Sequence, residues 1–294
     1  MQKYQILLFI TLTQSLSLRA SINVVGPSSE TKLQDQVCKL MFTSDEEEAI
    51  CTGVRIDETT ILSAEHCARN VETGVLNNLP EIVCGGRSLE AISMTESNQY
   101  FHFLDKGIRA FFRAGVDFSQ IKVKKDKQPF LPKFKIHENF ESFSNDFLVT
   151  SDQYNYEFRK PTICEVHGYG MDEFDRVGTL NSSQLSSSPT FMNQVFKINI
   201  TPLGNDGFNL KSPLLPMKAT NWIYIYVRPG DSGGPLFCLN EKNEWVLAGI
   251  ASTLQTGECP KDINELLDKK SKMKCAQNSW GVPTKETLNN LLQN

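Results

Sequence analysis

Apolar stretches of strand length recur along this chain, at residues 37–42, 81–84, 163–166, 196–200, 222–226 and 245–250, with turn-forming residues between them. Short runs at such spacing predict an all-β sandwich or barrel rather than helices alternating with strands. The polar stretches 142–152 and 181–189 read as surface loops, and no internal repeat is visible. Two helices are expected near the end. Thr284 can cap one that places Leu288, Leu291 and Leu292 on one face. Before it, residues 260–267 combine an Asp262-to-Glu265 capping-box spacing with Ile263, Leu266 and Leu267 on one stripe.

The first twenty residues stand apart from this pattern. Lys3 precedes an apolar run from Ile6 to Leu12, and small residues follow at Ser15, Ser17 and Ala20. That is the layout of a secretory signal peptide over residues 1–20, and no other segment nears the length of a membrane span. The expected product is a protein secreted or delivered to a periplasm. Export in turn makes the eight cysteines readable as four disulfides. No Cys-x-x-Cys pair occurs and the histidines lack ligand spacing, so neither metal nor cofactor is expected. A net charge of −4 leaves no basic footprint for nucleic acid.

One stretch carries chemistry. In Pro229-Gly230-Asp231-Ser232-Gly233-Gly234-Pro235, turn-forming residues crowd a serine, so the backbone can bend sharply and aim N–H groups around the hydroxyl. An acyl-transfer nucleophile needs that arrangement, although a glycine-rich turn between two strands would look the same. Far upstream, Leu62-Ser63-Ala64-Glu65-His66-Cys67 resembles the L-T-A-A-H-C histidine motif of the trypsin/chymotrypsin family of serine proteases, and G-D-S-G-G-P is that family's serine motif. Cys164-Glu165-Val166-His167-Gly168-Tyr169-Gly170 resembles its C-x-x-x-G-W-G strand. Leu247 to Ser252 resembles one wall of its specificity pocket, and Gly281-Val282-Pro283-Thr284-Lys285 resembles the G-V-Y-T-K segment before its terminal helix.

The resemblance covers about residues 24–294. It implies two six-stranded antiparallel Greek-key barrels with a C-terminal helix, the chain crossing between lobes over about 124–160, and a short propeptide over 21–23. It implies a monomeric serine endopeptidase acting on protein or peptide substrates. His66 would be the base and Ser232 the nucleophile, with Gly230 and Ser232 as oxyanion donors. It also implies bridges Cys51–Cys67 and Cys164–Cys238, which leaves Cys38 with Cys84 and Cys259 with Cys275.

The third triad member has two candidates. Asp117 opens a stretch like the family's D-I-A-L-I-K-L strand, whereas Asp146 lies in one like its H-P-x-Y…N-D stretch. Cys164 follows Asp146 by only 18 positions, too few to finish a strand and cross comfortably between lobes. Asp117 is therefore preferred, with Asp146 as the alternative.

The chain also departs from the family. Tyr226 stands where trypsin has its pocket aspartate, and Arg228 replaces the pocket cysteine. After Ser252, Thr253-Leu254 replaces W-G, and a leucine side chain at 254 would narrow the entrance of the pocket, to which Gly281 also belongs. A deep pocket for lysine or arginine is not expected. Lysines at 261, 269, 270, 272 and 274 form either an inert insertion or a site that recruits acidic substrates. Asp231 is present to pair with a new terminal amine, yet Val24-Val25-Gly26-Pro27 follows Asn23 rather than a basic residue. The runner-up reading is a catalytically inactive homologue that binds a partner. Such homologues typically lose the serine or histidine, and this chain keeps both.

Overall fold

The computed structural model describes residues 32–43, 48–69, 77–96, 100–105, 108–113, 117–150, 156–158, 163–170, 180–185, 197–198, 201–202, 208–211, 215–216, 230–258 and 274–291. The protein is all-β with few helices. A seven-stranded antiparallel sheet forms the amino-terminal part. Its members are β1 (Val37–Thr43), β2 (Glu48–Arg55), β3 (Thr60–Ser63), β4 (Glu81–Cys84), β5 (Arg87–Leu89), β6 (Ala91–Glu96) and β9 (Ser119–Val123). They lie in the order β5-β4-β1-β2-β3-β9-β6. The hairpin β7 (Tyr100–Asp105) and β8 (Ile108–Arg113) stands off this sheet, and helix α1 (Glu65–Ala68) follows β3.

Helix α2 (Phe140–Phe147) then leads into β10 (Leu148–Thr150), β11 (Tyr156–Phe158), β12 (Cys164–Gly168), β13 (Asn181–Leu185), β14 (Lys197–Ile198), β15 (Thr201–Pro202), β16 (Phe208–Lys211) and β17 (Leu215–Pro216). The chain closes with β18 (Pro235–Leu239), β19 (Trp245–Glu258), β20 (Lys274–Gly281) and helix α3 (Lys285–Leu291). The second large sheet has eight strands, in the order β13-β12-β18-β19-β20-β16-β15 with β17 also on β20. Two main antiparallel sheets are thus present, with seven and eight strands among the described residues where six each were expected.

Burial on both faces marks the middle of the first sheet. Along β2 the buried run from Cys51 to Arg55 lies between β1 and β3, and β3 is buried throughout. Leu40, Ile61, Ile82, Ile121 and Val123 fill one side of this sheet and are almost fully buried. In the other half, Leu236, Val246, Ala248, Trp280 and Val282 pack on Phe143 and Phe147 of α2. Burying each such phenylalanine is worth roughly 1.5–3 kcal/mol. That gain outweighs the polar content of residues 142–152 and makes α2 a helix where a loop was expected. Asn139 caps it through a reciprocal capping box with Ser142. The other expected loop also differs, because residues 181–185 pair with β12 as the edge strand β13.

Between the sheets the chain runs along β19. Lys135 donates its N–H to the Trp245 carbonyl at 2.8 Å and accepts from Leu247 N–H at 2.9 Å, while the Phe134 ring lies 4.9 Å from that of Phe237. At the end, Thr284 Oγ1 accepts from Thr287 N–H at 3.1 Å, so the expected cap is in place and Leu288 is buried behind it. The strand expected at 222–226 and the helix at 260–267 lie outside the described residues.

Among the described residues, three disulfides join Cys38–Cys84, Cys51–Cys67 and Cys164–Cys238. Cys259, the expected partner of Cys275, lies outside the described residues. The Cys164–Cys238 bridge links directly paired positions of β12 and β18 across a sequence separation of 74. Closing a loop of that length stabilises by up to about 4 kcal/mol in the chain-entropy picture. The double substitution Cys164→Ala with Cys238→Ala is expected to lower unfolding stability by about 2–4 kcal/mol, measured by denaturant titration. An unchanged midpoint would contradict this.

Candidate active site

The register between β3 and β9 builds the first half of the site. Ser63 lies opposite Ser119 in this antiparallel pair, so continuing the ladder by two residues sets Asp117 beside Glu65 and His66 on α1. The Asp117 carboxylate grips His66 twice. Oδ1 accepts the His66 backbone N–H at 3.0 Å, and Oδ2 lies 2.7 Å from ring Nδ1. Asp117 is 1% exposed, whereas the His66 side chain keeps 20%. A carboxylate so desolvated is tolerable only with strong hydrogen bonds to its charge. A third comes from the second sheet, where Ser252 Oγ donates to Asp117 Oδ2 at 2.7 Å.

Ser252 reaches inward because of a bulge. Across β19 and β20, Ala251 pairs with Trp280 and Thr253 with Ser279, so Ser252 is the extra residue. Bulges re-aim side chains in this way. The bulge turns what was expected to be a pocket residue toward the carboxylate.

Asp146 is placed elsewhere. It sits on α2, where His137 Nε2–H donates to its Oδ2 at 3.0 Å and Asn240 Nδ2 donates to the same oxygen at 3.3 Å. The His137 ring meets Phe143 and Phe147 edge-on. This second histidine–aspartate pair docks α2.

The serine turn is tied to the histidine's side of the molecule. Thr52 N–H donates to the Ser232 carbonyl at 2.9 Å, and neighbouring Cys51 is bridged to Cys67, the residue after His66. Gly233 N–H donates to the Ala251 carbonyl at 2.7 Å, and Gly234 N–H to that of Asp231 at 2.8 Å. Gly230 and Gly233 have φ of 94° and 82°. A Cβ on Gly233 would also collide with Ser63 Oγ and the Thr52 carbonyl. Glycine is therefore required there twice over.

Against known proteins, the family model described as Trypsin matches residues 24–264. The chain belongs to the trypsin family. No curated protein matches it. Among solved structures it is similar to a Glu endopeptidase in complex with MPD, at 12% identity and a TM-score of 0.47, covering 88% of this chain and 90% of that one.

Within this trypsin-family chain, Asp231 points toward the second sheet, its Oδ1 accepting Gly170 N–H at 2.7 Å. Tyr169, between Gly168 and Gly170, is buried, and desolvation pushes its phenol up. Val24, the residue expected to meet Asp231, lies outside the described residues, as do Tyr226 and Arg228. Gly281 pairs with Ile250 and Leu254 with Asn278, so these two expected pocket positions are on adjacent strands but not directly opposite. Thr253 and Ser279 face each other with hydroxyls 2.6 Å apart. Among the described residues no cluster of three or more His, Cys, Asp or Glu is placed to hold a metal ion, and no helix is long and apolar enough to cross a membrane.

Two features escaped the sequence reading. Ser252 bonding to Asp117 had no signal in the sequence, where Ser252 is one polar residue among several in the second half of β19, with Thr253, Gln255 and Thr256. Glu65, where the family motif has alanine, is 1% exposed and lies 3.9 Å from Arg69, which also pairs with Glu96. The charged cluster thus sits directly behind His66.

Replacing Gly233 by alanine is expected to cost about 1–3 kcal/mol from overpacking, beyond the penalty of about 1–2 kcal/mol for a left-handed backbone. Gly86 has φ of 76° and open space around it, so Gly86→Ala carries the second penalty alone. Thermal unfolding of both variants measures the difference. Equal losses would show that the contact with β2 and β3 is slack.

Proposed function

We propose that this trypsin-family chain is a serine endopeptidase working through an acyl-enzyme. The observation that carries the reading is the double grip of Asp117 on His66, reinforced by Ser252. A buried carboxylate on Nδ1 holds the imidazole in the tautomer whose Nε2 is the basic nitrogen and stabilises the imidazolium that forms. In the family's mechanism, Ser232 Oγ attacks the scissile carbonyl while His66 takes its proton and returns it to the leaving amine. Water then repeats the cycle on the acyl-enzyme. The N–H groups of Gly230 and Ser232 are the proposed donors to the oxyanion.

Export rests on the signal-like residues 1–20, and three disulfides suit an oxidising compartment. Specificity away from lysine and arginine rests on Tyr226 and Arg228. In a peptide-library profile, cleavage is expected without enrichment of either residue before the cut. Dominant cleavage after lysine or arginine would overturn this part.

Ser232→Ala is expected to fold and to lose at least about 1,000-fold in peptide hydrolysis. Asp117→Asn is expected to lose on the order of 10,000-fold in kcat, and Asp146→Asn to stay within about twofold of wild type. Comparable losses in the two aspartate variants would remove Asp117 from its role. Covalent labelling by a fluorophosphonate reports an activated serine, and failure of the mature wild-type protein to react would leave a binding homologue instead.

A further inference from the structure

Thr52 occupies an unusual place in the architecture. It is fully buried on β2, and its nearest functional neighbours are far away in sequence. Its Oγ1 lies 2.9 Å from the Tyr169 nitrogen, 117 residues along the chain, and 2.8 Å from the Gly230 carbonyl oxygen, 178 residues along. A backbone N–H can only donate, so Oγ1 accepts from Tyr169, and its one hydrogen goes to Gly230. The polarity of the bridge is settled by its partners. Thr52 N–H, meanwhile, donates to the Ser232 carbonyl.

One residue therefore holds two carbonyls of the serine turn, those on either side of Asp231. Fixing the Gly230 carbonyl fixes the peptide plane between Gly230 and Asp231, at a glycine with φ of 94° whose backbone would otherwise rotate at little cost. Fixing the Ser232 carbonyl holds the next turn of the chain. The same hydroxyl reaches Tyr169, next to Gly170, whose N–H holds the Asp231 carboxylate. The Thr52 carbonyl in turn accepts from Ser63 Oγ at 2.7 Å, which ties this hub to the strand leading into His66.

From this geometry we infer that the Thr52 hydroxyl is a positioning residue for the proposed reaction: it sets the orientation of the oxyanion-binding turn against the histidine side of the site. This rests on the serine-endopeptidase reading and names a residue that the triad does not include. Thr52 touches no reacting atom. It acts by holding the peptides that follow Gly230 and Ser232, each next to the peptide that carries a proposed donor N–H. Its loss therefore falls on the transition state, where donors must meet a developing negative charge, more than on substrate binding.

Thr52→Val keeps the shape and removes the hydroxyl, and Thr52→Ser keeps the hydroxyl and removes the methyl. The valine variant is expected to lose about 10- to 100-fold in kcat with KM within about twofold, and to react with a fluorophosphonate more slowly by a similar factor. The serine variant is expected to recover most of both. Amide hydrogen exchange in the peptide spanning Gly230 to Gly234 should quicken in the valine variant and not in the serine variant. Wild-type labelling rates in a folded Thr52→Val protein, or a Thr52→Ser protein as impaired as Thr52→Val, would overturn the inference alone. Should the valine variant fail to fold, the serine variant decides: it must keep near wild-type kcat, and a tenfold loss there overturns the inference. A mature wild-type protein that takes no label overturns the endopeptidase reading, and this inference with it.

Discussion

Burial of the Asp117 carboxylate is the constraint on which the site depends. An ionised group taken this far out of water costs several kcal/mol unless hydrogen bonds replace its hydration. Donors to it come from two places: the His66 backbone and ring on α1, and the Ser252 hydroxyl on β19. The carboxylate is satisfied only when the two large sheets are assembled together. Folding of the β-structure and assembly of the site are for that reason the same event. The bulge at Ser252 shows how specific the requirement is, since a regular strand would have turned that hydroxyl to another face.

A second set of contacts crosses the same boundary. β2 carries Cys51, bridged toward His66, and Thr52, bonded to the serine turn. Histidine and serine, 166 positions apart in the chain, are thereby held from adjoining residues of a single strand. Such strands are stiff and buried, which suits the proposed site, whose geometry would have to be correct before substrate arrives. The charged group of Glu65, Arg69 and Glu96 lies just behind, on the same helix turn and the neighbouring β6. An ion cluster of this kind adds little net stability, because desolvation offsets much of its attraction.

Not every histidine–aspartate pair is a site. His137 and Asp146 share the chemistry of His66 and Asp117, yet they lie between α2 and the turn before β19, among phenylalanine edges and the Asn240 amide. The Asp146 side chain keeps 36% of its exposure, against none for that of Asp117. What separates the two pairs is their surroundings: one holds a helix down, the other is buried against Ser252 of the second large sheet.

Much of this was legible in the residues. The β class followed from short apolar runs between turn formers, the cap at Thr284 from its spacing to Leu288, and the family from two motifs in order. Those features are local, and local sequence carries them. Three outcomes needed the folded chain. Spacing favoured Asp117 over Asp146 but kept the alternative, because loop length constrains partners only weakly; the β3–β9 register is what stands Asp117 beside His66. Residues 142–152 read as polar loop until the buried faces of Phe143 and Phe147 found a core to cover. Thr52 looks like any strand threonine, and its meaning comes from partners 117 and 178 residues away. A motif names the groups that can react. Which buried donors hold them in place depends on long-range packing, which no short stretch of chain encodes.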